Sequence, residues 1–120
     1  MKHNFKNLKI WILSMEIASD IHKITLEFPK NEVYGLISQM NRAAVSIPSN
    51  IAEGSARKGN KEFAQFLYIG LGSLSELETQ LIISSNLKYI SSERCELIMN
   101  DLNDIRRMLV GLIKYVKAKT

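Results

Sequence analysis

The sequence predicts an all-α fold, namely an antiparallel, up-down-up-down four-helix bundle that forms a single domain over residues 1–120. Apolar residues recur at spacings of three and four in four segments, and only a few residues separate one segment from the next. No run of alternating apolar and polar residues bounded by turn residues occurs, so we do not expect a sheet. The composition, 46% hydrophobic and 23% charged, is typical of a folded chain.

The first helix is predicted from about Asn7 to Leu26. Its apolar stripe consists of Ile10, Leu13, Ile17, Ile21, Ile24 and Phe28. A second group makes the apolar face wider than one bundle core requires, namely Leu8, Trp11, Ile12, Met15 and Ala18. The helix is expected to stop before Pro29, which disfavours helical geometry at the preceding residue, and Asn31 is a suitable N-cap for the next helix.

The second helix is predicted over residues 33–54. Its stripe consists of Val33, Leu36, Ile37, Met40, Ala44, Ile47 and Ile51. Pro48 removes one helical hydrogen bond, so a kink or a break is expected near it. Because Ile51 stays in phase with Ile47, the pattern favours one kinked, continuous helix. A turn follows, and Asn60 is expected to cap the third helix.

The third helix is predicted to end near Tyr89, and Ser91 or Ser92 is expected to cap the fourth. The stripe of the third helix consists of Phe63, Phe66, Leu67, Gly70, Leu74, Leu77 and Leu81. Gly70 and Gly72 each cost about 1 kcal/mol of helix propensity relative to alanine, which indicates close approach of a neighbouring backbone. The stripe of the fourth helix is a heptad pattern of Cys95, Ile98, Leu102, Ile105, Leu109, Leu112 and Val116.

The sequence offers no catalytic group, no metal ligands and no cofactor motif, so we do not expect an enzyme. Cys95 falls on a core position and is expected to be a buried, unreactive thiol. His3 lies near the chain terminus and His22 on the polar side of the first helix, so neither is placed to act as a base. One cysteine and two histidines cannot form a zinc finger, and Glu-x-x-His, which a di-iron bundle needs, does not occur.

The positive charge predicts a phosphate-binding surface at one end of the bundle. The net charge is +4, and the sequence pI is about 9.3. The antiparallel order brings three basic clusters to the same end, with candidate nucleic-acid contacts at Lys6, Lys9, Arg57, Lys58, Lys61, Lys114 and Lys117. The alternative is that these residues are ordinary solubilising charges. No aromatic stacking platform is visible beside them, so base readout in a single strand has no support in the sequence.

A structural cluster of polar residues is predicted beside the apolar seams of the second and third helices. It consists of Arg42, Asn50, Glu53 and Glu76. A long polar side chain close to a core needs partners, so Arg42 is expected to pair with Glu76 or Glu53. The alternative is a polar pocket, or a notch that docks a partner, at the predicted kink.

The sequence shows neither a targeting segment nor a membrane span. The apolar run that follows the basic start is interrupted by Ser14, Glu16 and Asp20, and no cleavage site follows it. No window approaches the roughly 20 apolar residues that a membrane span needs. A cytoplasmic protein without membrane contact is therefore expected.

Two blocks of the sequence resemble a bacterial family of four-helix bundles. Residues 39–54, QMNRAAVSIPSNIAEG, closely resemble the signature of the proteins encoded in the intervening sequences of 23S ribosomal RNA genes. Residues 63–81 are similar to the second block of that family, and neither block departs from its pattern. The resemblance implies a four-helix bundle without known catalytic activity and with a suspected role in binding RNA.

The same family is similar to the accessory protein of diversity-generating retroelements, a basic homopentameric barrel that binds nucleic acid and a reverse transcriptase. This resemblance implies that the protein assembles as a homo-oligomer, with a pentamer expected, and the wide apolar face of the first helix agrees with it. Two functions follow. The first is non-enzymatic binding of RNA, or less favourably DNA, and the second is a protein-interaction module that docks a partner enzyme such as a reverse transcriptase.

Overall fold

The computed structural model describes residues 4–119, and within that range it contains four α-helices and no strand. The helices are α1 (Lys9–Thr25), α2 (Leu36–Ser55), α3 (Asn60–Asn86) and α4 (Ser92–Ala118), and short 3₁₀ turns lie at Phe5–Asn7 and Lys30–Glu32. Each helix packs against the next one in the chain, and α4 packs back against α1. The predicted all-α, four-helix fold is confirmed.

The four helices share one apolar core. Its fully buried side chains are Ile21, Met40, Ile47, Ile51, Leu67, Leu74, Leu77, Leu81, Leu102, Ile105 and Leu109. Burial of each such side chain contributes about 1.5–3 kcal/mol, so the core is the main source of stability. Between α2 and α3, Ser84 Oγ donates to Met40 Sδ at 3.4 Å, and Ser46 Oγ lies 2.7 Å from Ser73 Oγ. These pairs are consistent with antiparallel neighbours, and the antiparallel order of the whole bundle stays a prediction.

The second helix begins later than the sequence predicts. Residues 30–32 form a 3₁₀ turn after Pro29, and α2 starts only at Leu36. Asn31 is therefore not the N-cap, and Val33, which was expected in the apolar stripe, is exposed. The side chain of Glu32 instead satisfies a free backbone group at the start of α2, because its Oε1 accepts a hydrogen bond from the backbone N–H of Leu36 at 3.4 Å. The separate 3₁₀ turn displaces the cap, and spacing alone does not reveal it.

Pro48 lies inside α2, and the helix continues through it from Leu36 to Ser55. The prediction of one continuous helix is confirmed, and the kink stays a prediction. Ile47 and Ile51 on either side are both fully buried. Packing of these side chains against the core supplies the free energy that holds the helix together across a missing hydrogen bond.

The close approach predicted from the glycines holds for one of them. A Cβ on Gly70 would lie 3.8 Å from the Ile47 carbonyl oxygen, so α2 passes close to this residue. A Cβ on Gly72 would meet nothing within 4 Å, because the residue faces outward. The tightest contact is at Gly54, where a Cβ would lie 2.8 Å from side-chain atoms of both Phe63 and Phe66.

The caps of α3 and α4 differ in how well the sequence predicts them. Asn60 is the first residue of α3 rather than its cap; Gly59 occupies the cap position and makes no side-chain hydrogen bond. Ser91 caps α4 as predicted, since its Oγ accepts from the backbone N–H of Arg94 at 3.2 Å. In α4, Ile113 is buried where the heptad pattern predicted Leu112, which is only half-buried.

Candidate nucleic-acid interface

The outward face of α3 carries a lysine and a tyrosine near its start. Lys61 and Tyr68 are seven residues apart, which places them on the same face of a helix with 3.6 residues per turn. Lys61 is exposed, and so is Lys58 in the turn before the helix. Tyr68 is 48% exposed, although it is a large aromatic residue that a core could bury.

The C-terminal part of α4 brings further lysines to this face. Lys117 Nζ donates to Tyr68 Oη at 3.3 Å and lies 5.6 Å from the centre of the tyrosine ring. Lys114 lies three residues earlier in the same helix and is exposed. We call this surface the α3–α4 basic strip, and it consists of Lys58, Lys61, Tyr68, Lys114 and Lys117.

The α3–α4 basic strip is free of acidic residues over a long stretch of both helices. α3 contains no aspartate or glutamate between Glu62 and Glu76, and α4 contains none after Asp104. Within residues 4–119, none of the four lysines of the strip forms an ion pair. Their charges are therefore available to an anionic ligand.

The other three predicted phosphate contacts have different surroundings. Arg57 forms an ion pair with Glu53 at 3.5 Å, and its guanidinium lies 4.8 Å from the centre of the Phe66 ring. Lys6 and Lys9 are exposed beside the start of α1, and the structure records no contact between either of them and the strip in the described part of the chain. The strip therefore keeps four of the seven predicted contacts, namely Lys61 on α3, Lys114 and Lys117 on α4, and Lys58 in the turn before α3.

Aromatic residues beside the cations are the feature that sequence reasoning missed. Besides the contact of Lys117 with Tyr68, Lys119 Nζ lies 4.7 Å from the centre of the Tyr115 ring. Tyr115 is 51% exposed. Two half-exposed tyrosines therefore lie beside lysines, and the prediction that no aromatic stacking platform accompanies the basic residues stays a prediction. The seven-residue spacing of Lys61 and Tyr68 on a polar helix face was the signal in the sequence.

The predicted polar cluster divides into two parts. Arg42 and Glu76 line an open notch of about 320 Å³ between α2 and α3, but among the described residues Arg42 forms no ion pair with Glu76 or Glu53. Glu53 pairs with Arg57 instead, because the two residues lie four apart on successive turns. The ion pair expected between Arg42 and Glu76 or Glu53 is therefore not formed within residues 4–119.

Asn50 belongs to a chain of hydrogen bonds between α2 and α3. Its Nδ2 donates to the carbonyl oxygen of Ser46 at 2.7 Å and to Ser46 Oγ at 2.9 Å. The hydroxyl of Ser46 continues the chain to Ser73, whose Oγ also donates to the carbonyl oxygen of Ile69 at 3.2 Å. Asn50 thus holds the Ser46 side chain that bonds across to α3.

An open apolar groove of about 920 Å³ lies between α1 and α2, and we call it the α1–α2 groove. Its lining includes Phe5, Trp11, Met15, Ala18, Val45 and Pro48. The rings of Phe5 and Trp11 meet edge to face, with centres 5.3 Å apart. Met15 is 42% exposed. Of the wide apolar face expected on the first helix, Ile12 and Met15 are exposed, whereas Leu8, Trp11 and Ala18 are partly buried against the core.

The thiol of Cys95 and the imidazole of His22 have different surroundings. Cys95 is buried, its Sγ faces the carbonyl oxygen of Leu81 at 3.7 Å, and burial raises the pKa of the thiol. His22 is exposed at the edge of the α1–α2 groove, and His3 lies outside the described residues. Between residues 4 and 119, no three histidine, cysteine, aspartate or glutamate side chains gather in a way that could hold a metal ion. In the same range, no helix is long and apolar enough to cross a bilayer.

The fold and its surface define the class of protein: a four-helix bundle with a basic strip on one pair of helices and an apolar groove on the other. The chain belongs to the 23S rRNA-intervening sequence protein family, whose model matches residues 6–111. This confirms the family that the two sequence blocks resemble. The relation to the accessory protein of diversity-generating retroelements stays a prediction.

A crystal structure of a similar protein supports the fold. That protein, of unknown function, comes from the S23 ribosomal protein family of Bacteroides thetaiotaomicron VPI-5482. It is 28% identical to this chain, the match covers 88% of this chain and 98% of that one, and the TM-score is 0.79. A search of the curated proteins found no match.

Proposed function

We propose that this protein is a non-enzymatic, RNA-binding protein of the cytoplasm that acts as a basic homo-oligomer. The observation that carries the proposal is the α3–α4 basic strip, in which four lysines form no ion pair among residues 4–119, on helices that carry no acidic residue between Glu62 and Glu76 or after Asp104. Such a surface suits the phosphate backbone of a nucleic acid. RNA is favoured over DNA because the family is described by its link to 23S rRNA.

The test is the salt dependence of binding to a structured RNA hairpin, and fluorescence anisotropy measures the binding. Four phosphate contacts release counterions, so raising the salt concentration from about 50 to about 200 mM is expected to weaken binding roughly 50- to 150-fold. Charge reversal of Lys58→Glu with Lys61→Glu is expected to reduce the slope of log K against log salt by about 2. The matched control is Lys30→Glu with Lys88→Glu, two exposed lysines in other turns. Affinity that does not change with salt would overturn the proposal.

Self-association is the second part of the proposal, and the α1–α2 groove supports it. An exposed apolar surface of this size on a small chain suits contact with another protein surface. A pentamer has a mass of five times 13.6 kDa, which is about 68 kDa. Light scattering after gel filtration is expected to give that mass for the wild type and a smaller one for Met15→Asp. Leu97→Asp is the control, because Leu97 is 65% exposed and lies outside the groove. A wild-type monomer would contradict this part.

The alternative function is a protein-interaction module that docks a partner enzyme such as a reverse transcriptase. The α1–α2 groove favours it, because the groove is apolar and carries no strong positive charge besides Lys23. In this case Lys58→Glu with Lys61→Glu leaves capture of the enzyme intact, whereas Met15→Asp abolishes it. A pull-down with a purified reverse transcriptase distinguishes the two functions.

A further inference from the structure

Tyr68 occupies a position that the fold itself does not explain. It lies on the outward face of α3, where 48% of its surface is exposed, and it is not among the residues packed against the core; its hydroxyl and its ring both contact Lys117. Its ring therefore adds little to the core. An exposed aromatic ring held beside a cation is, however, the arrangement on which nucleic-acid bases stack.

The spacing of the side chains in the strip suits a short stretch of extended, single-stranded nucleic acid. Lys61 lies seven residues before Tyr68, which is about 10 Å along the helix axis, and Lys117 Nζ is 3.3 Å from Tyr68 Oη. The tyrosine thus has one lysine beside it and another further along the same face. A base on the ring would place its flanking phosphates within the range of these two cations.

The surface next to the ring is open. Gly72 lies one turn after Tyr68 on the same face, and an added Cβ there would meet nothing within 4 Å. Because Gly72 has no side chain, the surface of α3 just after the ring gives a base or a sugar room to lie flat. The absence of aspartate and glutamate from residues 63–75 removes repulsion of the phosphates along the same surface.

An exposed tyrosine beside lysines suits unpaired nucleotides. In a duplex both faces of each base are covered by neighbouring pairs, so an aromatic side chain cannot stack on them. Bases in loops, bulges and single-stranded ends can be exposed and can stack on tyrosine. A strip of lysines alone would bind paired and unpaired RNA alike, and the tyrosine is what distinguishes them.

We propose that the α3–α4 basic strip binds unpaired nucleotides of RNA, with Tyr68 stacking on a base and Lys61 and Lys117 contacting the flanking phosphates. This inference rests on the proposed RNA-binding function and adds the kind of RNA that is recognised.

The test compares two RNA probes, a single-stranded oligonucleotide and a blunt duplex of matched charge, by fluorescence anisotropy at low salt. Tyr68→Ala is expected to weaken binding of the single strand about 5- to 150-fold, the range found when a stacking residue is replaced by alanine. Binding of the duplex is expected to stay within about twofold of the wild type. Tyr68→Phe keeps the ring and is expected to bind the single strand like the wild type.

Tyr34→Ala is the matched control, because Tyr34 is 97% exposed and lies in the turn before α2. Equal losses with both probes would overturn the stacking role, since Tyr68 would then act only by positioning Lys117. Unchanged binding of the single strand by Tyr68→Ala would overturn it as well. Both outcomes leave the proposed RNA-binding function in place if the wild type still binds in a salt-dependent way. If the wild type binds neither the single strand nor the duplex, both proposals are overturned.

Discussion

Tyr89 Oη donates a hydrogen bond to Glu32 Oε2 at 2.9 Å, and this bond joins the turn after α3 to the turn before α2. The other oxygen of the same carboxylate accepts from the backbone N–H of Leu36. The ring of Tyr89 also lies 5.3 Å from that of Phe28, measured between ring centres. One glutamate therefore starts a helix and ties together two connections that are 57 residues apart.

The hydrogen bond between Tyr89 and Glu32 predicts a loss of stability at high pH. The bond to Glu32, followed by burial and the negative charge of Glu32, raises the pKa of Tyr89 above its ordinary value near 10. The folded state therefore holds the phenol proton more tightly than the unfolded state. The contribution is complete below pH 10 and is lost as the pH rises through the raised pKa. Urea unfolding at a series of pH values measures it.

Tyr89→Phe is the variant that isolates this contribution, because it keeps the ring and removes the hydroxyl. We expect it to be less stable than the wild type at neutral pH and to approach the wild type above the raised pKa. A difference between the two proteins that stays constant from pH 7 to pH 11 would contradict the expectation. The comparison also cancels the titration of the other tyrosines and the lysines, which both proteins share.

The end of α3 contains a left-handed residue that is not glycine. Lys88 has φ 64°, and the backbone N–H of Tyr89 bonds to the carbonyl oxygen of Ser84 at 2.9 Å, the pattern of a Schellman motif. Glycine adopts this conformation without steric cost. Lys88→Gly is therefore expected to raise the free energy of unfolding by about 0.5–1 kcal/mol. Guanidinium unfolding measures it, and Lys58→Gly, at a position with negative φ, is expected to give no gain.

Gly54 and Gly72 predict opposite effects of the same substitution. Gly72→Ala is expected to raise the free energy of unfolding by about 0.5–1 kcal/mol, because the residue is helical and the space beside it is open. Gly54→Ala is expected to lower it by about 1–3 kcal/mol, because the new methyl group would lie 2.8 Å from Phe63 and Phe66. Thermal or guanidinium unfolding compares them. Equal effects would contradict the packing at Gly54.

Cys95 is predicted to be unreactive in the folded protein. Its side chain is buried, and burial raises the pKa of the thiol, so little thiolate is present at pH 8. Reaction with Ellman's reagent is expected to be at least about tenfold slower in the folded protein than after unfolding in guanidinium. Cys95→Ala provides the blank. A fast reaction of the folded protein would show that α4 opens easily at this residue.

The sequence predicts the helices well and their ends poorly. Periodicity identifies Ile21, Met40 and Leu102 as core because burial of these side chains determines where the helices pack. The start of α2 depends on a 3₁₀ turn and on one glutamate carboxylate, and neither leaves a periodic signal. That Ile113 rather than Leu112 is buried has a different cause. A strict seven-residue repeat gradually rotates around a helix of 3.6 residues per turn, so the predicted core position moves away from the true one.

The sequence indicates which lysines belong to the candidate site but not how they are arranged. Lys58, Lys61, Lys114 and Lys117 could be selected as candidates because cations near helix ends are visible in any sequence. Their relation to Tyr68 depends on the register of α3 against α4, which packing of the core determines. For the same reason the sequence could not show that Arg42 forms no ion pair with any residue from 4 to 119, or that Arg57 pairs with Glu53.

The contact at Gly54 also bears on how quickly the chain finds its fold. Only four residues separate the end of α2 at Ser55 from the start of α3 at Asn60, and Gly54 lets the aromatic residues that follow pack directly on the turn. Closing so short a loop costs little chain entropy, and early contacts of low sequence separation speed folding. We therefore expect the α2–α3 hairpin to form in the folding transition state before α1 and α4 add to it, with φ-values highest on either side of this turn.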